Sequence, residues 1–355
     1  MHKQETIHIL REISTQVEES APKWVPDTYI QSSLPEVVTR PWSFMLRYSL
    51  SSGSAILVKV ARHDEMSLAQ AVSEKALLER TEREFEMLSK IAQVFQSKNE
   101  ENEFCFVQPL DIFSDWNALA MEELDAQTLK EYLLKPQMGL GFRKDWDTFT
   151  SLLTQAMRWL RAYHLGMGNL QTMPLSETKI DKRIENTLQK LQGYLPDGYL
   201  GEFGTRLMLR YKALGDHNIT FSMLHGDFHC GNILVSTDGR VGALDADLRH
   251  GHIYEDIAKA LADLKTRGIQ MITQGLFFRA KGLSRAYQAV IDGYFGDEEG
   301  DEALLQFFIV IAVLEKWLNN EKNLEENIGN QPFLNKIFSG WRRRYFSRLV
   351  LEGLR

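Results

Sequence analysis

The stretch Ser222–Asp247, SMLHGDFHCGNILVSTDGRVGALDAD, decides how this chain is read. NILVS (232–236) and RVGALD (240–245) are short β-like runs on either side of Thr237-Asp238-Gly239, whose turn chemistry makes them a hairpin. Ahead of the hairpin, His225, Gly226 and Asp227 open a loop that ends at Asn232; behind it come Asp245 and Asp247. An Asp at the start of such a loop can accept a hydroxyl proton, and an Asn five residues later can point its amide oxygen into the same cavity. An Asp closing the hairpin strand supplies the hard oxygen ligand that magnesium prefers. Either motif alone is ordinarily a turn with capping carboxylates; their combination is what points to chemistry.

Working outward, SFMLRYSL (43–50) and AILVKVAR (55–62) are rich in β-branched and aromatic residues, and SSGS between them predicts a hairpin. Ser67 to Phe95 reads as helix, with Leu77, Phe85, Leu88 and Ile91 near helical spacing. FCFVQPLDIF (104–113) and NALAMEEL (117–124) read as two further strands. Beyond Asp125 the pattern is mostly helical (Trp146–Tyr163, Lys179–Leu195, Ile257–Lys265 and most of the chain from Ser284), with the 222–247 island as the one β interruption. The expectation is an α+β chain: a helical N-terminal extension over 1–29, a small strand-rich lobe over 30–124 and a larger helical lobe over 125–355.

HGDFHCGNILV (225–235) and ALDADLRHGHIYEDIA (243–258) resemble, in order, spacing and strand context, the catalytic loop and metal-binding segment of the aminoglycoside phosphotransferase and choline kinase superfamily. The resemblance covers roughly residues 35 to 265 and implies a two-lobed protein-kinase-like fold, with a small antiparallel-sheet N-lobe carrying one main helix and a larger C-lobe binding the acceptor. It implies ATP and magnesium as cofactors, Asp227 as catalytic base, Asn232 and Asp245 as magnesium ligands with Asp247 assisting, and Asp256 as a structural brace for the loop. Upstream it implies that Lys59 neutralises phosphate charge while paired with Glu84, near which Glu82 and Glu86 also stand. LAMEELDAQTL (119–129) resembles the hinge, so Met121 would guard the adenine pocket while the backbone of Glu122 and Leu124 meets the base. The family usually has Gly at Ala126 and often a glycine-containing phosphate loop; here VTRPWSF (38–44) has none, leaving Thr39, Ser43 or backbone amides to face the phosphates.

Composition sets outer limits. Apolar residues are 44% and charged residues 25%, an ordinary globular balance, and a net charge of −7 disfavours nucleic acid or an anionic membrane as partner. Two cysteines, Cys105 and Cys230, make no disulfide framework and fit a reducing cytoplasm. The charged N-terminus has no signal-peptide core, and Leu304–Leu314 is too short for a membrane span, so it reads as a buried helix. His229, Cys230, His250 and His252 fit no zinc spacing, His225 reads as a hydrogen-bonding support of the loop, and His164 as a satisfied core histidine. GLGF (139–142) and GMGN (166–169) lack the third glycine of a dinucleotide fingerprint.

Gly226 stands where protein kinases have Arg, and the ten residues from Asp245 to Glu255 leave no room for a peptide-docking segment. A small-molecule hydroxyl acceptor is therefore favoured: a sugar, amino sugar, aminoglycoside or amino alcohol. Glu298, Glu299, Asp301 and Glu302 are either a solvated loop or a recognition surface for an amino group. The competing class is a non-catalytic nucleotide-binding scaffold, whose signature would be loss of Asp227, Asn232 or Asp245.

Overall fold

The computed structural model describes residues 2–63, 65–97, 102–134, 146–168, 170–196, 199–276, 278–326 and 332–354. GLGF at 139–142 and Asn169 of GMGN lie outside them. The chain forms two compact units, Met1–Ala126 and Gln127–Arg355.

Unit 1 is an antiparallel sheet of β1 (Glu36–Arg40), β2 (Ser43–Ser49), β3 (Ala55–Ala61), β4 (Pro109–Phe113) and β5 (Ala118–Glu122), in the order β1-β2-β3-β5-β4. Gly53, at φ +90°, makes the β2–β3 turn. Period-two alternation divides the sheet by face. Phe44, Leu46, Tyr48, Ile56, Val58, Val60, Ala118 and Ala120 form one core cluster with Ile9, Ile13, Val17 and Ala21 of helix α1 (His2–Trp24). Those four helical residues recur every fourth position, a single stripe, and the Ser14 hydroxyl meets Tyr48 OH at 3.2 Å. Burying Ile9, Ile13 and Val17 contributes at most about 5–9 kcal/mol, so α1 is part of this unit's core.

The helix expected over 67–95 is two helices, α2 (Leu68–Ser73) and α3 (Lys75–Ser97), broken at Glu74. Asn117 explains the break. It sits buried at φ +47°, and its side-chain amide donates to the carbonyls of Ala71, Val72 and Glu74, groups a continuous helix would have bonded itself.

Unit 2 is built around helices α5 (Trp146–Met167), α8 (Ile253–Thr266), α10 (Arg279–Phe295) and α11 (Glu302–Glu326), with α4 (Leu129–Leu134), α6 (Ile180–Gln192), α7 (Gly201–Ala213), α9 (Gly268–Ile272) and α12 (Pro332–Gly353) around them. Leu304–Leu314 is buried helix inside α11, and no helix among the described residues is long and apolar enough to cross a membrane. The expected hairpin is β9 (Ile233–Ser236) with β10 (Val241–Ala243), joined by β6 (Ala126–Thr128). A second three-stranded sheet, β7 (Gln171–Pro174), β8 (Asn218–Leu224) and β11 (Arg249–His252), was not expected from the sequence. RHGH of β11 has no β-branched residue; its strand character comes from pairing with β8, Arg249 opposite Leu224 and His252 opposite Phe221.

Candidate active site

In unit 2 the loop after β8 is suspended from helix α8. Asp256, fully buried, accepts the backbone N–H of His225 at 2.7 Å through Oδ2 and that of Gly226 at 2.9 Å through Oδ1. His164 Nε2 lies 3.1 Å from the same Oδ2, and His164 Nδ1 lies 2.7 Å from Tyr294 OH. Tyr163 OH donates to Leu224 O at 3.1 Å, and Lys259 Nζ donates to Gly226 O. His164 is thus a satisfied core histidine as read from sequence, and it also orients the carboxylate that holds the loop. Burial pushes the Asp256 carboxyl up, but His164, His225 and the Gly226 amide outweigh it, so its pKa lies below the ordinary value.

Gly226 is required by packing as well as conformation. At φ +79°, a Cβ built there would meet Asp247 O at 2.5 Å, where the segment after Asp245 turns back and Asp247 N–H donates to His225 O at 2.6 Å. An Arg at this position would collide with that backbone, so the loop is incompatible with the protein-kinase residue.

Asp227 is exposed at the loop's start. Asn232 Nδ2 donates to its backbone O and to Oδ2, both at 3.0 Å, and His229 Nε2 lies 3.5 Å from Oδ2. Burial raises the Asp227 carboxyl, yet His229, Lys259 and Asn232 together hold it below the ordinary carboxylate range. Because the Asn232 amide nitrogen faces Asp227, its amide oxygen is turned the other way. Asp245 follows β10 at φ +55°, a left-handed conformation that Asp tolerates better than most residues, and both Asp245 and Asp247 are exposed. Among the described residues no group of three or more His, Cys, Asp or Glu side chains is arranged to hold a metal. One amide oxygen and one or two carboxylates suit magnesium, which keeps waters and binds substrate phosphates alongside few protein ligands.

Sequence reasoning missed Lys259 and the contact of His229 with Asp227; the signal for Lys259 was its place one turn beyond Asp256 on the same helix. His225 corrects another expectation. Its ring packs against Trp159, Tyr163 and Phe228, and neither nitrogen has a hydrogen-bond partner among the described residues, so it supports the loop by packing and through its backbone amide. Burial depresses its pKa to about 4. Cys230 is buried and its thiol is pushed up to about 12, again by burial. Beside Asp256, buried Glu255 binds Arg183 at 2.5 Å and Arg249 at 2.8 Å, tying α6 and β11 to α8.

In unit 1, Lys59 Nζ lies 2.5 Å from Glu84 Oε1, both side chains mostly buried, while Glu82 and Glu86 are exposed. Met121 is buried on β5, opposite Leu57. The Glu122 N–H donates to Gln108 O at 3.0 Å, so on the hinge reading only its carbonyl is left to join the Leu124 backbone in meeting a base. Ser43 is buried, and Thr39 pairs with Phe44 on the sheet's core face, opposite to Lys59. The acidic loop is largely occupied: Asp301 binds His217 at 2.5 Å and caps α11 through Leu304 N–H, and Glu298 binds Arg161 at 2.5 Å.

A family model described as "Phosphotransferase enzyme family" matches residues 58–301. No curated protein matches the chain. Among solved structures, a glucosamine kinase in complex with glucosamine, ADP and inorganic phosphate aligns at TM-score 0.52 and 13% identity over 96% of this chain and 98% of that one. A choline/ethanolamine kinase family protein from Mesorhizobium loti aligns at 0.52 and 14% over 96% and 93%. An amicoumacin kinase in complex with AMP-PNP, Ca2+ and Ami aligns at 0.51 and 15% over 99% and 96%. These likenesses show the protein-kinase-like α+β fold.

Proposed function

Because the chain belongs to the phosphotransferase enzyme family, we propose that it transfers the γ-phosphoryl group of ATP to a hydroxyl of a small molecule, with Asp227 as the base. The observation that carries this reading is the Asp227 loop: an exposed carboxylate held ionised by His229, Lys259 and Asn232, on a backbone anchored by the buried Asp256. In the reaction the acceptor oxygen bonds to the γ-phosphorus, the bond to the β–γ bridging oxygen breaks, ADP leaves, and the hydroxyl proton passes to Asp227. A carboxylate of low pKa is a weak base toward a free alcohol. Its work is therefore to orient the hydroxyl, taking the proton as the forming bond makes that oxygen acidic.

Asn232 and Asp245 would hold magnesium, with Asp247 assisting; when bound, the ion neutralises charge on the phosphates and the transferred group. Lys59, kept in place by Glu84, balances phosphate charge, and Met121, Glu122 and Leu124 line the base site. Nucleotide use agrees with the ADP and AMP-PNP complexes named for two of the structural neighbours, and divalent-metal use with the Ca2+ of one. The neighbours' names point to amino sugars, amino alcohols and amicoumacin as acceptors to screen. With Asp301 and Glu298 already paired, amine recognition by the acidic loop would fall to Glu299 and Glu302.

The test is ATP consumption against a panel of sugars, amino sugars, aminoglycosides and amino alcohols, with wild type and Asp227→Ala. We expect one acceptor class to stimulate turnover and the variant to lose about 10²–10⁴-fold in kcat with nucleotide affinity nearly unchanged. Near-normal turnover in Asp227→Ala would remove it from the base role.

A further inference from the structure

The hairpin tip between β1 and β2 lacks glycine, and the structure shows what stands in its place. Pro41 and Trp42 form a two-residue turn with no positive φ at either, so the turn needs no glycine. Pro41 has no N–H to offer an anion. Ser43 is buried, Thr39 faces away from Lys59, and Trp42 presents an exposed indole while its carbonyl accepts the Arg62 N–H.

Register places the remaining tip residue. Val38 pairs with Met45, and Met45 pairs with Lys59, so all three share one face and one cross-strand row. Arg40 lies two residues beyond Val38 and therefore on that same face; it is exposed and pairs with Ser43 across the turn. It stands about 7 Å along the strand and about 10 Å across two strand spacings from Lys59, a separation that two long cationic side chains can bridge around a chain of phosphates. The other arginine on this face, Arg47, is committed: its guanidinium donates twice to Glu123, at 2.7 Å each.

We propose that Arg40 supplies a phosphate-binding cation at the hairpin tip, providing by side chain what a glycine-rich turn provides by backbone amides. This rests on the reading that ATP binds beside Lys59, and it adds a residue that the reading does not itself name. Arginine suits the task because its planar fork donates two parallel hydrogen bonds to phosphate oxygens.

The experiment is calorimetric titration of ATP and, separately, adenosine into wild type, Arg40→Ala, Arg40→Lys, Lys59→Met and the charge control Arg83→Ala, at low and high salt. Arg40→Ala should weaken ATP about tenfold, the low end for a hydrogen bond to a charged group at an exposed site. Adenosine affinity should be unchanged, Arg40→Lys should fall between, and the salt dependence of ATP binding should flatten. Arg83→Ala should match wild type. If Arg40→Ala binds ATP within about twofold of wild type while Lys59→Met is weakened, the proposal is overturned and the nucleotide reading stands. An equal loss for adenosine would also overturn it, since the residue would then be shaping the hairpin. If wild type binds no ATP, the underlying reading fails with it.

Discussion

Replacing Asp256 by Asn tests whether the loop carrying Asp227 depends on one buried carboxylate. Both oxygens of Asp256 are engaged: Oδ2 by the His225 N–H at 2.7 Å and by His164 Nε2 at 3.1 Å, Oδ1 by the Gly226 N–H at 2.9 Å. An amide keeps one acceptor and turns an NH2 group toward a donor in a site with no water exposure. One charge-assisted bond is lost, about 1.5–3 kcal/mol, and one buried donor is left unsatisfied, about 1–3 kcal/mol. A loss of about 3–5 kcal/mol should lower the melting temperature of a unit this size by roughly 6–20 °C. The pH dependence gives a second reading. Burial raises the Asp256 pKa, but its hydrogen bonds hold the folded value below the unfolded one of about 3.9, so the stabilisation is full above that value and lost as pH falls through the folded pKa. The stability gap between wild type and variant should therefore be constant from about pH 5 to 8 and narrow below about pH 4. His225, depressed to about 4, is neutral over the upper range and takes part there by ring packing and through its backbone amide. Thermal melts across pH, with kcat and ATP affinity measured at pH 7, make the assay; kcat should drop while nucleotide affinity holds. A variant that melts within about 2 °C of wild type and keeps its kcat would show that Asp256 does not brace the loop.

Lys59→Met should weaken ATP binding or turnover while Lys75→Met, at the start of α3, leaves both unchanged; equal behaviour in binding titrations would make Lys59 an ordinary strand residue. In thermal-shift assays ATP with magnesium should raise the melting temperature by several degrees, as expected for about 2.7 kcal/mol at one hundred times Kd. Asp227→Asn should keep the magnesium-dependent part and Asp245→Asn should lose it, and retention by both would remove Asp245 from the metal. Asn117→Ala should destabilise unit 1 by about 2–4 kcal/mol in denaturant melts, because the buried Ala71 carbonyl and the partly buried Val72 and Glu74 carbonyls lose their donor; a loss under about 0.5 kcal/mol would mean that α2 ends there for another reason. Ile13→Ala should cost about 2–5 kcal/mol, and an unchanged midpoint would argue that α1 does not belong to the core.

Residue type and local period were enough to mark the β2–β3 and β9–β10 hairpins, the long helices of unit 2 and the HGDxxxxN loop, because each is set by contacts near in sequence. The family resemblance named Lys59 with a carboxylate on the next helix. It chose Glu84 over its neighbours Glu82 and Glu86, and packing against β3 turns Glu84 inward while the other two stay exposed. Longer-range pairing settled the rest. RHGH becomes a strand because β8 needs a partner for its edge, and the helix after Ser67 breaks because Asn117, more than forty residues on, takes its carbonyls. His164 joins Asp256 across 92 residues of sequence and Tyr294 across 130. Burial decides the chemistry of such groups: the same imidazole is an inert, depressed ring at His225, a hydrogen-bonded orienting group at His164 and a neighbour of the candidate base at His229. Sequence supplies the titratable groups in order, and only the folded chain sets the solvent exposure and partners that make them differ.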